Sequence, residues 1–173
     1  MKKYVIILFA AALALCSCQK SPVEQFSGRY SFKTGGELDL KTRVLDLDWG
    51  GLKMKDTIIR RAIVPESGQM RIVSDSGNRV VVTMNVTAGD LVVIPATVSG
   101  NDIILDPVSR KILVCRETGL LLWEEVPVIV SGIGRKMDNS VIIDLEFEGE
   151  FNLGVFPCEV VASNVNCVAN KNE

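Results

Sequence analysis

Histidine is absent from all 173 residues. Without an imidazole, neither Ser-His-Asp nor Cys-His catalysis can operate, and imidazole metal sites and histidine pH switches are excluded as well. No nucleophile motif stands out elsewhere in the chain. The sequence therefore predicts no enzyme and no catalytic residue, and it indicates no cofactor.

Two further features are scarce. Aromatic residues make up 6% of the chain, with only two tryptophans, which argues against a surface of aromatic platforms for glycans. No basic block occurs; removing Lys2 and Lys3 from the 19 basic residues leaves 17 against 21 acidic ones, a net charge near −4. Nucleic acid is therefore a poor partner for this protein.

The one long apolar run lies at the N-terminus. Lys2 and Lys3 precede an apolar stretch over 4–15, which at about 12 residues is shorter than a membrane span and typical of a secretory signal. It ends in Leu15-Cys16-Ser17-Cys18. This end resembles the bacterial lipobox, with Leu15 three places before Cys18 and a small residue, Ser17, directly before it.

The resemblance implies that 1–17 is a lipoprotein signal peptide and that Cys18 carries acyl chains as the first mature residue. Several chains together anchor a protein stably, because each buried methylene contributes about 0.8 kcal/mol. An ordinary cleaved signal with an incidental cysteine is the alternative. The polar segment after Cys18 contains Pro22, so 18–25 is predicted to be a lipidated tether to a single domain over 26–173.

The start of the mature chain also resembles lipoproteins of the Bacteroidetes. Those displayed on the cell surface carry acidic residues just after the cysteine, whereas here the first acid is Glu24. The resemblance implies an outer-membrane lipoprotein held by its lipid anchor, on the periplasmic face rather than the cell surface.

Beyond the signal, short apolar runs alternate with turns, and no sustained helical period appears. Turns rich in Gly, Asn and Ser separate the runs, which indicates consecutive hairpins. The pattern predicts an all-β antiparallel meander. Strands are expected over 29–33, 37–41, 45–49, 57–64, 69–74, 79–86, 91–98, 102–105, 111–115, 120–123, 126–130, 141–147 and 155–161.

Three local irregularities are also expected. Leu45 and Leu47 alternate one residue out of phase with Leu38 and Leu40, so a bulge is predicted near Arg43 or Val44. Proline cannot donate to a strand ladder. Pro95 and Pro127 therefore mark strand edges or bulges.

Phe26-Ser27-Gly28-Arg29-Tyr30 opens the domain. It resembles the Gly-x-aromatic opening of calycins and of lipocalin-like domains in lipoproteins, with Gly28 and Tyr30 at the motif positions. The resemblance implies that the meander closes into a lipocalin-like barrel. A two-sheet sandwich is the alternative.

The three remaining cysteines lie in an oxidising compartment if the signal is used. Cys158 and Cys167 are nine residues apart, and a disulfide between them is one expectation. Two thiols packed as small hydrophobic groups are the alternative. Cys115 lies in an apolar strand and is predicted to be buried.

Alternating carboxylates follow one face of the 141–151 strand: Asp144, Glu146, Glu148 and Glu150. Such a row could attract Ca²⁺, but a solvent-facing surface that discourages aggregation is the favoured interpretation, so no metal site is predicted. Arg60 and Arg61 adjoin mid-strand, so one should face inward or towards an edge. Trp123 is expected in the core or an interface. Trp49 is expected to plug the end of the core, and the alternative is that it covers a ligand at a barrel mouth.

Two functions remain. The first is a lipid-anchored protein that binds a small apolar ligand inside an open barrel, with ligand contacts that the sequence does not identify. The alternative is an interaction module of a cell-envelope complex, which has a filled core and an exposed apolar patch or edge.

Overall fold

The structure, a computed structural model, describes residues 21–48, 51–116 and 122–172. Cys18 and Trp49 lie outside these ranges. One short helix precedes ten strands in a single antiparallel sheet. The elements are α1 (Pro22–Phe26), β1 (Gly28–Asp48), β2 (Gly51–Ala62), β3 (Ser67–Ser74), β4 (Arg79–Val86), β5 (Leu91–Ser99), β6 (Asp102–Cys115), β7 (Trp123–Met137), β8 (Ser140–Glu148), β9 (Glu150–Leu153) and β10 (Phe156–Lys171).

Hydrogen bonds ring through eight strands in the order β1-β3-β4-β5-β6-β7-β8-β10 and return from β10 to β1. The all-β meander and its barrel-like closure are therefore confirmed, and the two-sheet sandwich is not adopted. β2 and β9 lie outside the ring, paired with β1 and β10 respectively. No helix in the described ranges has the length and apolarity needed to cross a bilayer.

Strand β1 is long enough to serve two neighbours on one side. Its first part pairs with β3 from Gly28 to Lys33, and its second part pairs with β2 from Glu37 onward. The partner of β1 changes from β3 to β2 at Gly35 and Gly36. The Gly36 carbonyl accepts a hydrogen bond from the amide of Ile63 at 3.1 Å.

The interior holds two apolar clusters stacked along the barrel. The first core surrounds Tyr30 and Val82, and the second surrounds Leu38 and Val114. Val108, with Leu145, packs against both clusters. Each inward-facing strand position alternates with an outward one, as the period of a half-buried strand requires.

Residues 21–25, which were expected to belong to the tether, are part of the folded domain. Ser21 caps α1 by accepting a hydrogen bond from the Glu24 amide, while the Glu24 carboxylate accepts one from the Ser21 amide, each at 3.2 Å. Val23 and Phe26 of this helix are buried in the first core. The sequence signal was a capping box, Ser-x-x-Glu with Pro after the cap.

The hydroxyl of Tyr30 donates a 2.6 Å hydrogen bond to the Phe26 carbonyl, and its ring is fully buried. Gly28 begins β1 with a φ of 152°. Tyr30 therefore holds α1 against the first core.

The bulge predicted near Arg43 or Val44 is wrong. The even-numbered positions of β1 face inward as far as Thr42, and the register shift lies between Asp39 and Leu40, against β10. The extra residue belongs to β10, because Asp39 pairs with Ala162 and Leu40 with Val160. Leu45 is out of phase because it lies on the outer face.

Both proline predictions are confirmed. Pro95 pairs with β4, but the ladder between β5 and β6 includes only residues 96–99 of β5. Pro127 pairs with β6, and the ladder between β7 and β8 begins at Ile129. Each proline therefore lies where one neighbouring strand is missing, as its lack of an amide proton requires.

Candidate functional site

The barrel interior is nearly filled. Its internal cavity has a volume of about 20 Å³ and is lined by residues of both cores, including Ile63, Met84 and Phe147. A single water molecule needs at least about 10–15 Å³ of such space. An apolar ligand site typically has several hundred Å³. The cavity is therefore large enough for a water molecule and too small for a lipid.

A partly buried ion pair lies between the two cores. Arg110 binds Glu66 through two nitrogens, with Nη2 to Oε1 at 2.6 Å and Nη1 to Oε2 at 3.1 Å. Their side chains are only 16% and 22% exposed. In the described part of the chain the Nε of Arg110 has no hydrogen-bond partner, and it borders the cavity that can hold one water.

Thr34 holds the backbone of Glu66 against β1. The Glu66 amide donates to the Thr34 hydroxyl at 2.9 Å, and the Thr34 amide donates to the Glu66 carbonyl at 2.7 Å. The segment between β2 and β3 is thereby fixed over the place where the neighbour of β1 changes. The ion pair is a structural clamp between this segment and β6.

Neither Arg110 nor Glu66 was found from the sequence. Arg110 lies on the same strand face as Ile112 and Val114, which are both buried, but the expected strand began only at Lys111. Glu66 lies between the strands expected over 57–64 and 69–74. A longer strand over 108–114 would have indicated an inward arginine and a need for a carboxylate partner.

Three surface depressions of the described residues are open and bordered by charged groups, and one of about 620 Å³ lies between Arg43, Asp46 and Lys53. A second of about 320 Å³ lies beside the gap between β5 and β6, and its lining includes Asp90, Lys111 and Glu125. A third of about 500 Å³ lies where β1 leaves β10, and its lining includes Arg43 and Glu159. None of the three encloses an apolar volume.

The hairpin formed by β1 and β2 extends past the body of the barrel. Pairing with β10 ends at Thr42, so that residues 43–48 and 51–56 form a two-stranded projection, which we term the arm. The arm begins where the second core ends.

One face of the arm is apolar and exposed. Leu45 lies directly opposite Met54, and Leu52 lies on the same face; Leu45, Met54 and Leu52 are 64%, 61% and 66% exposed. Ile58, 66% exposed, lies further along this face and is separated from Met54 by the Arg43–Asp56 ion pair. Contiguous exposed apolar patches mark interaction surfaces.

The outer strand of the arm also has an unpaired edge. β2 is the last strand on its side of the sheet, and among the described residues its outer edge meets β6 only near Ile63, which bridges to Val114. Lys53 and Lys55 alternate with the apolar residues along this edge. In the described ranges neither lysine makes an ion pair or a side-chain hydrogen bond.

The disulfide between Cys158 and Cys167 is not formed. Both residues are buried free thiols on β10, Cys158 in the second core and Cys167 in the first. Nine residues of extended chain separate their Cα atoms by roughly 27 Å, whereas a disulfide needs less than about 7 Å. The alternative of packed thiols is the correct one.

The thiol of Cys167 is chemically protected. Burial, together with the nearby negative charge of Glu66, raises the pKa of Cys167 to about 12. Only the thiolate is a nucleophile, so this group stays inert at neutral pH. Cys115, predicted to be buried, is instead half-exposed on the outer side of β6, opposite in parity to the buried Val114.

The remaining expectations concern charged and aromatic side chains. The carboxylate row of β8 and β9 is exposed to solvent, as favoured, and in the described ranges no cluster of His, Cys, Asp or Glu side chains has a metal-binding arrangement. Trp123 is 39% exposed and is not a core residue.

Arg60 does not point into the core. It lies on the outer face, where its Nε is 2.7 Å from an Asp39 oxygen and 3.7 Å from a Glu37 oxygen. Its hydrogen bond lowers the pKa of Asp39. Arg61 donates to the backbone carbonyl of Arg116 at 3.2 Å, so neither arginine forms an anion site in the interior.

No protein-family model matches the chain, and no curated protein is detectably similar to it.

Proposed function

We propose that this chain is a lipid-anchored domain of the bacterial cell envelope that acts by binding another protein, with the arm as its contact surface. The filled interior is the observation that carries the proposal. A cavity of about 20 Å³ favours the interaction module over the carrier of a small apolar ligand, which remains the other expectation from the sequence.

The anchoring half of the proposal rests on the lipobox-like Leu15-Cys16-Ser17-Cys18. Acyl chains on Cys18 would hold the domain at the outer membrane, on the periplasmic face. Ser21, the cap of α1, follows Cys18 by three positions in the sequence. The α1 end of the barrel then lies next to the membrane.

The binding half rests on the arm. β1 has 21 residues from Gly28 to Asp48, so its far end lies at most roughly 65 Å from its start at the rise of an extended strand. When the barrel stands on the membrane, the arm projects away from it. An apolar surface held there can reach proteins of the envelope, whereas a filled core cannot take up a ligand.

The proposal predicts two results in the native host. In solubilised envelopes, native electrophoresis should find the wild-type protein in a complex that is larger than the single chain. The Cys18→Ala variant should lose palmitate labelling and leave the membrane fraction. A wild-type protein that migrates only as a single chain would contradict the binding half, and a Cys18→Ala variant that still takes up palmitate would contradict the anchoring half.

A further inference from the structure

We infer that the arm binds its partner by strand addition: an extended segment of another protein, with carboxylate and apolar side chains in alternation, pairs with the outer edge of β2. This inference rests on the proposed function and specifies the chemistry of its partner. Strand addition supplies affinity through backbone hydrogen bonds, and alternate side chains supply specificity.

Most of the outer edge of β2 is unpaired among the described residues. Residues 51–60 of β2 have no backbone partner on their outer side among the described residues. Natural sheets cover such an edge or blunt it with charged side chains, lysine above all, because unpaired amide and carbonyl groups bind other strands. Lys53 and Lys55 blunt this edge towards strands that lack carboxylates. Its residues 51–56 lie on the arm, beyond the last pair of β1 with β10.

The other edge of β2 is already paired with β1. β1 places Leu45 opposite Met54 and Asp46 opposite Lys53. Its run Leu45-Asp46-Leu47-Asp48 alternates apolar and acidic residues. A strand with the same alternation would match the outer edge, with apolar residues beside Leu52 and Met54 and carboxylates beside the two lysines.

Charge disfavours a closed dimer through the part of this edge that lies on the arm. Two copies of β2 that pair antiparallel across a two-fold axis place residues of the same parity opposite each other. Registers centred on residues 54–56 bring Lys53 opposite Lys55, Lys55 opposite Lys55, or Asp56 opposite Asp56. Like charges directly opposite destabilise a strand pair. The same lysines attract a carboxylate-bearing strand of a different protein.

The test uses the full chain in its native host with a photo-crosslinking amino acid at one position at a time. Position 52 lies on the apolar face of the arm. Position 133, on the outer face of β7, is the control, because Ile133 is 53% exposed and far from the arm in the strand order. We expect an adduct from 52 and none from 133, with the crosslinked partner segment alternating acidic and apolar residues.

Charge reversal supplies the second readout. Lys53→Glu combined with Lys55→Glu should lower the yield of the adduct from position 52 at least fivefold. Lys33→Glu combined with Arg71→Glu reverses the same number of exposed charges on the barrel body and should leave the yield unchanged. Both sites are exposed, so neither double variant removes core packing.

Several outcomes would overturn strand addition while leaving the proposed function in place. One is an adduct whose yield charge reversal does not change, and another is a partner segment without the alternation. A crosslink to lipid or to a second copy of this chain is a third. The last is a complex that native electrophoresis detects but that crosslinks only from position 133, or from neither position. Absence of any complex would instead overturn the proposed function.

Discussion

Replacing Glu66 with Gln is expected to lower the free energy of unfolding by about 2–4 kcal/mol. The substitution keeps the shape of the side chain and removes its charge. Arg110, 16% exposed between the two cores, would then be a cation without its counterion. Removing one partner of a fully buried ion pair costs about 3–5 kcal/mol because the remaining charge is left poorly solvated, and the partial exposure of this pair lowers the expected loss. Urea unfolding followed by circular dichroism measures the change.

Two variants complete this test. Arg60→Gln breaks the exposed pair with Asp39 and should leave the urea midpoint unchanged, because exposed pairs contribute little. The double variant Glu66→Leu, Arg110→Met replaces both charges with apolar groups and should recover most of the lost stability. A Glu66→Gln protein as stable as wild type would show that the pair is not a clamp.

Replacing Gly36 with Ala is expected to lower the free energy of unfolding by about 3 kcal/mol or more. Gly36 has a φ of 143°, and an added Cβ would lie 2.1 Å from the Asn164 carbonyl oxygen and 2.7 Å from the Val165 Cα. A strained backbone position costs about 1–3 kcal/mol for a residue with a side chain. The backbone of β10 would also have to move. Thermal unfolding of the variant measures the loss.

The neighbouring glycine is a matched control. A Cβ added at Gly35 would meet nothing within 4 Å, and Ala in a strand loses less backbone entropy on folding than Gly. Gly35→Ala should therefore be as stable as wild type or slightly more stable. Equal losses at both positions would mean that the pairing of β1 with β10 at Gly36 is not as close as described.

The sequence was sufficient for the fold class because local patterns carry it. Alternation and glycine turns separate most of the strands, and the expected 79–86 strand coincides with β4. Strand length was underestimated. A strand that crosses two cores contains positions such as Gly35 and Gly36, which look like a turn in the sequence and are paired in the sheet.

The parts of the site that the sequence missed depend on contacts between distant residues. Glu66 and Arg110 are 44 positions apart, and nothing near either residue indicates the other. The apolar face of the arm was visible as the alternation of Leu45 and Leu47, but a bulge was expected to turn these leucines inward. The exposed edge of β2 required knowledge of where β10 stops pairing with β1.

We propose that the protein acts through its surface and carries nothing in its interior. The most direct test is native mass spectrometry of the wild-type protein, purified in mild detergent from the envelope of its own host. We expect the measured mass to equal that of the processed chain with its covalent anchor, with no further small molecule bound. One lipid or other apolar molecule retained per chain would contradict it.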